Sequence, residues 1–184
     1  MDAPSAPRPD PLLPLAEGGK GSLTVEKMRR NLSLVRADWH GGCVACGSGN
    51  GRGLHLEFCV RETGYVEAAF DCDAAYEGYP GYLHGGIIAT LLDAAMTNCL
   101  FAHGFVGLTG ELKVRYRHPV SIGKVARAYA WLERSVHRLH GIRSELEQDG
   151  VIKVLASSMF LETDPAFGRG DSEDLLGAGG GPRK

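Results

Sequence analysis

Asp93 is the only charged residue between Gly85 and Ala102. The rest of that stretch is almost wholly apolar or small, and Asp93 lies about eight residues past any position from which a carboxylate could cap a helix start. Burying an ionisable group is costly. A carboxylate kept in such surroundings is suited to take a proton or to attack a carbonyl. The plain alternative is a core or interface carboxylate satisfied by a backbone group. His84-Gly85-Gly86 stands where the same stretch begins, after the turn-forming run Gly78-Tyr79-Pro80-Gly81. Glycines let a substrate approach the backbone, and the unpaired N–H groups of a helix start suit an oxyanion. The alternative there is that Gly85 and Gly86 only permit tight packing and that His84 is a packed core histidine.

Cys43-x-x-Cys46 with His40 is a second group of potential ligands. A structural zinc site wants four ligands, and no second Cys-x-x-Cys or closely spaced Cys/His pair follows, so no metal is expected and the run reads as a tight turn over one end of the core. Redox chemistry at the pair lacks its usual βαβ setting. The five cysteines, an odd number in a chain large enough to build its own core, are expected to be reduced.

The elements that must position these residues follow from periodicity. Gly85–Ala102 is apolar nearly all round and must be a helix buried on most sides. Ser22–Ala37 carries Leu23, Val25, Met28, Leu32 and Val35 at helical spacing, with Ser22 or Thr24 as N-cap. Leu54, Leu56, Phe58 and Val60 alternate with polar neighbours, and Glu62-Thr63-Gly64 turns the chain into Tyr65–Phe70, which predicts a hairpin. Leu112, Val114 and Tyr116 alternate with Glu111, Lys113, Arg115 and Arg117, predicting a strand with one buried and one wet face, ended by Pro119. Val125–Leu132, His137–Glu147 and Val151–Leu161 read as three further strands, the last two joined by Asp149-Gly150. One buried helix with several antiparallel strands gives an α+β architecture in which the sheet wraps the helix.

Residues 1–21, rich in proline and glycine, and 165–184, rich in glycine and acidic groups, read as disordered tails around a single domain at 22–164. With 20 basic and 22 acidic side chains there is no bulk positive field, so no nucleic-acid partner is expected. No signal-like start and no membrane-length apolar run is evident, which makes a cytoplasmic location without a membrane the default expectation. Lys113, Arg115, Arg117, Lys124, Arg127, Arg138 and Arg143 read as a solvated sheet face.

Tyr82-Leu83-His84-Gly85-Gly86, with Leu91-Leu92-Asp93 ending nine residues past the histidine, resembles the PaaI-type branch of the hotdog-fold thioesterases. The upstream run Cys43-Val44-Ala45-Cys46-Gly47, then Asn50 and Gly53-Leu54, is similar to the segment before the first strand in many members, and the resemblance covers residues 43–161. It implies a hotdog fold and hydrolysis of acyl-coenzyme A or acyl carrier protein thioesters. It also implies that Asp93 is general base or nucleophile and that the Gly85 amide polarises the carbonyl, with His84 shaping the helix entrance. In several members a Ser or Thr at the start of the strand after the helix helps hold the attacking water, and Thr109 matches that position. Gly86, Glu77 and Tyr82 are the expected substrate-contacting residues. The chain departs from several relatives in having Gly78 where they carry an Asn six residues before the histidine. No cofactor is required, because a thiolate leaves readily and one carboxylate with one water suffices.

Helix geometry adds a partner. Gly85 and Asp93 are eight residues apart, about 12 Å along one helix, too far to serve one thioester. Two helices packed across a two-fold axis would bring Gly85 of one subunit to Asp93 of the other, so a homodimer, or a homotetramer built from it, is expected. Two other readings use the same residues: a hotdog protein that binds acyl thioesters or another apolar ligand without turnover, and a zinc-bearing interaction module at the Cys43 turn.

Overall fold

The computed structural model describes residues 23–163, so the predicted tails and the alternative cap Ser22 lie outside the described residues. Helix α1 spans Val25–Trp39. Thr24 caps it, accepting a 3.3 Å hydrogen bond from the Lys27 N–H. Val25, Met28 and Leu32, at helical spacing, are its buried face. Helix α2 spans Gly85–Ala102 as its composition predicts. It ends in a Schellman turn: Gly104 takes the left-handed region at φ +86°, its N–H bonding to the Phe101 carbonyl while the Phe105 N–H reaches the Leu100 carbonyl.

Six strands form one antiparallel sheet: β1 (Cys59–Val60), β2 (Val66–Asp71), β3 (Gly107–Tyr116), β4 (Val125–Val136), β5 (Leu139–Gln148) and β6 (Val151–Glu162), in the order β1-β2-β4-β5-β6-β3. The sheet wraps α2, whose Leu92, Ala95, Met96, Cys99 and Leu100 have no exposed surface. Facing them are Val66, Ala126, Ala130, Leu146, Val154 and Phe160, equally buried. Asp149 and Gly150, both at positive φ, turn β5 into β6 as the Asp-Gly pair predicts. This is the α+β hotdog arrangement.

Three expectations need correction. The first predicted hairpin shrinks to two paired residues in β1. Leu56 and Phe58 are buried and His55 and Glu57 exposed, so the alternation is real. The Leu54 and Leu56 N–H groups, however, bond to Val44 and Ala45 rather than to β2. Strand β3 lacks the predicted buried face: Leu112 is 36% and Tyr116 51% exposed, because β3 is the edge strand and runs past the cover α2 provides. Finally, α2 is long and apolar enough to cross a membrane by length and composition alone. Its burial within the sheet identifies it instead as the core helix.

Candidate functional site

The open side of α2 is narrow and regular. Beyond the half-buried Gly85 and Ile87 of its first turn, Gly86, Ala89, Thr90 and Asp93 are the exposed or half-buried residues of this helix, and their spacing puts them on one stripe. Asp93 therefore sits where the core helix is uncovered, at the margin of apolar packing. Thr109 of β3 meets it there, its Oγ1 donating a 3.0 Å hydrogen bond to Asp93 Oδ1. Burial pushes the Asp93 carboxyl above the ordinary aspartate range, and the Thr109 hydrogen bond pulls part of the way back.

A β-bulge makes that contact. Thr109 pairs with Phe160, whereas Glu111 pairs with Met159, so Gly110 is the extra residue. Residues opposite one another across a ladder share a face. Thr109, Leu112, Val114 and Tyr116 thus lie on the face of Phe160, Ser158, Ala156 and Val154, which is the helix side. Without the bulge, alternation would turn Thr109 away with Glu111 and Lys113. A Cβ on Gly110 would come within 3.3 Å of the Met159 carbonyl oxygen, so a side chain there is crowded.

The start of α2 is held from two directions. His84 is the N-cap, and its Nδ1 accepts a 2.9 Å hydrogen bond from the Gly86 N–H, which assigns the ring proton to Nε2. Gly86 must stay a glycine for this contact, since a Cβ would lie 3.0 Å from Nδ1. The Gly86 N–H is thereby occupied. Gly85 is the first helical residue, so its N–H has no acceptor within its own helix. Tyr116 donates from its hydroxyl to the Gly85 carbonyl at 2.8 Å, tying the first turn to β3. Tyr116 did not emerge as a site residue from the sequence. The signal was available in its alternation with Thr109 along one strand, but the bulge hides that relation from simple counting.

The other expected residues take supporting positions. The Glu77 carboxylate accepts a 2.6 Å hydrogen bond from the Gly81 N–H and so braces the turn before α2. Tyr82 is 46% exposed and pairs by its backbone with Ser121 at the rim of the same turn. Gly78 packs on His84: a Cβ there would stand 3.1–3.3 Å from the His84 backbone and ring, so a side chain at this position is crowded unless His84 shifts. Met96 and Phe101 are core residues with almost no exposed surface. Lys113, Lys124, Arg127 and Arg143 pair with acidic neighbours on the sheet surface.

His40, Cys43 and Cys46, expected to form only a tight turn, do lie in one, and their ligand atoms are all within 4.8 Å of one another. This cluster is separate from the Asp93 stripe. All five cysteines are free thiols.

Residues 80–152, which include the α2 start, Asp93, Thr109 and Tyr116, match the model of the thioesterase superfamily. Over 91 residues the chain is 28% identical to acyl-coenzyme A thioesterase THEM4 of Rattus norvegicus, a stretch covering 48% of this chain and 39% of that protein. The chain thus spans about two fifths of that relative's length. The fold is similar to that of the E. coli PaaI protein from the phenylacetic acid degradation operon, with a TM-score of 0.64 at 14% identity over 78% of this chain and 97% of that one. It is also similar to a hypothetical thioesterase protein with coenzyme A from Streptococcus pneumoniae, with a TM-score of 0.55 at 18% identity over 59% and 88% of the two chains.

Proposed function

We propose that this chain, whose residues 80–152 match the thioesterase superfamily, hydrolyses acyl-coenzyme A thioesters at a site centred on Asp93 and completed by a second subunit. The observation that carries this reading is the Asp93–Thr109 pair. It is a carboxylate on the one uncovered stripe of a core helix, with one oxygen fixed at 3.0 Å by a hydroxyl and the other left for a water or a carbonyl carbon. Acyl-coenzyme A is also the substrate in the name of the rat relative, and coenzyme A is bound in the S. pneumoniae neighbour.

In this mechanism Asp93 takes a proton from water as the water oxygen attacks the thioester carbon, or its carboxylate attacks directly and water later releases the acyl group. The new C–O bond displaces the C–S bond, and the proton passes to the leaving thiolate. The Gly85 N–H, aimed out of the helix start, stabilises the oxygen charge that builds during attack. A preorganised donor of this kind is worth on the order of 3 kcal/mol of barrier. His84 and Tyr116 orient that donor, one at the side chain cap and the other at the Gly85 carbonyl.

The partner subunit enters because the donor and the base stand about 12 Å apart along α2. The surface suits a second copy: the stripe of Gly86, Ala89, Thr90 and Asp93 lies beside the exposed Leu112 and Tyr116 of an edge strand. Small residues let two helices approach closely, and an unpaired edge is a template for another chain. An isologous dimer would build two equivalent sites.

The test is release of free thiol from a panel of aromatic, short-chain and long-chain acyl-coenzyme A substrates by wild type and Asp93→Asn. Turnover that Asp93→Asn abolishes is the expected result. Binding of the panel without thiol release would instead identify a ligand-binding hotdog protein.

A further inference from the structure

We propose that His40 Nδ1, Cys43 Sγ and Cys46 Sγ form a zinc site, with the fourth coordination position open to water or an external thiol. The juxtaposition is already close to that of a bound ion. Cys46 Sγ and His40 Nδ1 are 3.5 Å apart. Zinc bonds of about 2.3 Å to sulfur and 2.0–2.1 Å to nitrogen, held at the tetrahedral angle, give an N···S edge of about 3.5 Å. All three ligand atoms lie within 4.8 Å of one another, and Cys43, only half-buried, has room to turn its thiol inward. Two thiolates and an imidazole make a soft to borderline donor set, which favours zinc over magnesium or calcium.

Each sulfur has an N–H group directed at it. The Ala45 N–H points at Cys43 Sγ at 3.4 Å, and the side-chain amide of Asn98 on the core helix points at Cys46 Sγ at 3.7 Å. N–H groups aimed at both sulfurs are the outer-shell contacts that stabilise metal-bound thiolates. Gly47 lets the chain close behind the pair: any Cβ there would collide with the Cys43 nitrogen at 2.4 Å and the Gly41 carbonyl oxygen at 2.6 Å. The His40 ring is set edge-on against Phe101, with centroids 4.7 Å apart. Independently of the cluster's geometry, Asn98 Oδ1 is buried and has no hydrogen-bond partner among the described residues. It belongs to the same amide that reaches Cys46, and a water carried by the metal would bring a donor to that neighbourhood.

Counting ligands along the sequence had argued for an unmetalled turn because a fourth protein ligand was missing. Three protein ligands with one open position are nonetheless a stable zinc arrangement. Bound there, the ion would fasten the end of α1 to the turn that follows it, and it would stabilise the folded chain by mass action.

The experiment uses the full chain, reduced, stripped with a chelator and titrated with Zn2+ against a chromophoric competitor. A parallel sample is loaded with Co2+. The expected results are one zinc per chain, a thiolate-to-cobalt charge-transfer band, and a melting temperature that rises with zinc. The Cys43→Ser/Cys46→Ser variant should lose all three, and His40→Ala should bind at least tenfold more weakly. Alkylation of wild-type protein decides the matter without any variant. Zinc should shield Cys43 and Cys46 from an alkylating reagent, read by peptide mass spectrometry, while the exposed Cys59 reacts throughout. Zinc uptake no greater than that of the double variant, a cobalt spectrum without the thiolate band, or equal alkylation of Cys43 and Cys46 with and without zinc would each overturn the proposal.

Discussion

Thr109 and Asp93 are joined by a 3.0 Å hydrogen bond between an edge strand and the core helix, and the donor is the threonine hydroxyl. The bond stabilises the ionised carboxylate against the burial that disfavours it. If ionised Asp93 is the base, activity rises with pH through its pKa and then levels. Thr109→Val removes the one contribution that lowers this pKa. The acidic limb of the kcat/KM profile is therefore expected to move to higher pH in the variant, as measured by thiol release across a pH series. An unmoved limb would separate Thr109 from the ionisation of Asp93.

Asp93→Asn keeps the shape and the Thr109 contact but removes the charge. Hydrolysis is expected to fall by at least about a hundredfold, as losses of a general base do. Stability should move the other way. The folded-state pKa of Asp93 lies above its unfolded value, so its charge costs stability as pH rises from the ordinary aspartate range, and the cost is complete above the folded pKa. The variant should melt at the same or a higher temperature than wild type at neutral pH. The gap should close below pH ~3.9, where the carboxyl is protonated in both states. Thermal melts at the two pH values check the sign.

Tyr116→Phe removes the hydroxyl that holds the Gly85 carbonyl and leaves the ring in place. A net loss of about 1 kcal/mol is expected for one such hydrogen bond. Because the first turn of α2 would lose an anchor, kcat should fall several-fold with little change in KM. Steady-state kinetics beside a denaturant melt would distinguish this from a general loss of folding.

Sharing of the site between subunits predicts recovery from two inactive proteins. Gly85→Pro deletes the donor N–H at a first-turn position that tolerates proline. The backbone is ready for it: His84 has φ −62° and ψ 134°, in the region a residue before proline adopts. A Cβ at position 85 meets Tyr116 at an ordinary 3.6 Å. Mixed with Asp93→Asn, half the dimers would be hybrids with one intact site each, so activity should return to about a quarter of wild type. Absence of recovery, once mass spectrometry has shown that subunits exchanged, would mean that the base and the donor do not come from different chains.

Much of the architecture was legible in the sequence. The apolar run Gly85–Ala102 announced its helix, and Asp149-Gly150 announced its hairpin, since burial on all sides and positive φ each leave a direct trace in residue type. The short β1 and the exposed β3 were not legible. In both cases alternation survived, but what lies opposite the strand decided the outcome: a loop carbonyl at Val44 took the Leu54 N–H, and the described residues leave Leu112 36% exposed. At the candidate site, His84 and Thr109 were marked by the sequence, and in the fold His84 caps α2 and Thr109 bonds Asp93. The turn-bracing bond of Glu77 and the bond of Tyr116 to Gly85 were not legible, because both depend on where a side chain turns after the backbone is set. The three donors at the Cys43 turn were visible as residue types, but their convergence was not.

The extra residue at Gly110 makes this site sensitive to length as well as to composition. Loss of Gly110 would straighten the ladder and by parity still leave Thr109 opposite Phe160 on the helix side, whereas a strand that kept Gly110 but paired it regularly would turn Thr109 outward and leave Asp93 without its hydroxyl. A replacement of Thr109 by serine, by contrast, preserves both the hydroxyl and the count. Substitutions along this edge are thus expected to be graded in their effect, whereas a residue inserted between Thr109 and Leu112 that the bulge does not absorb would act as an all-or-none switch on the carboxylate's surroundings.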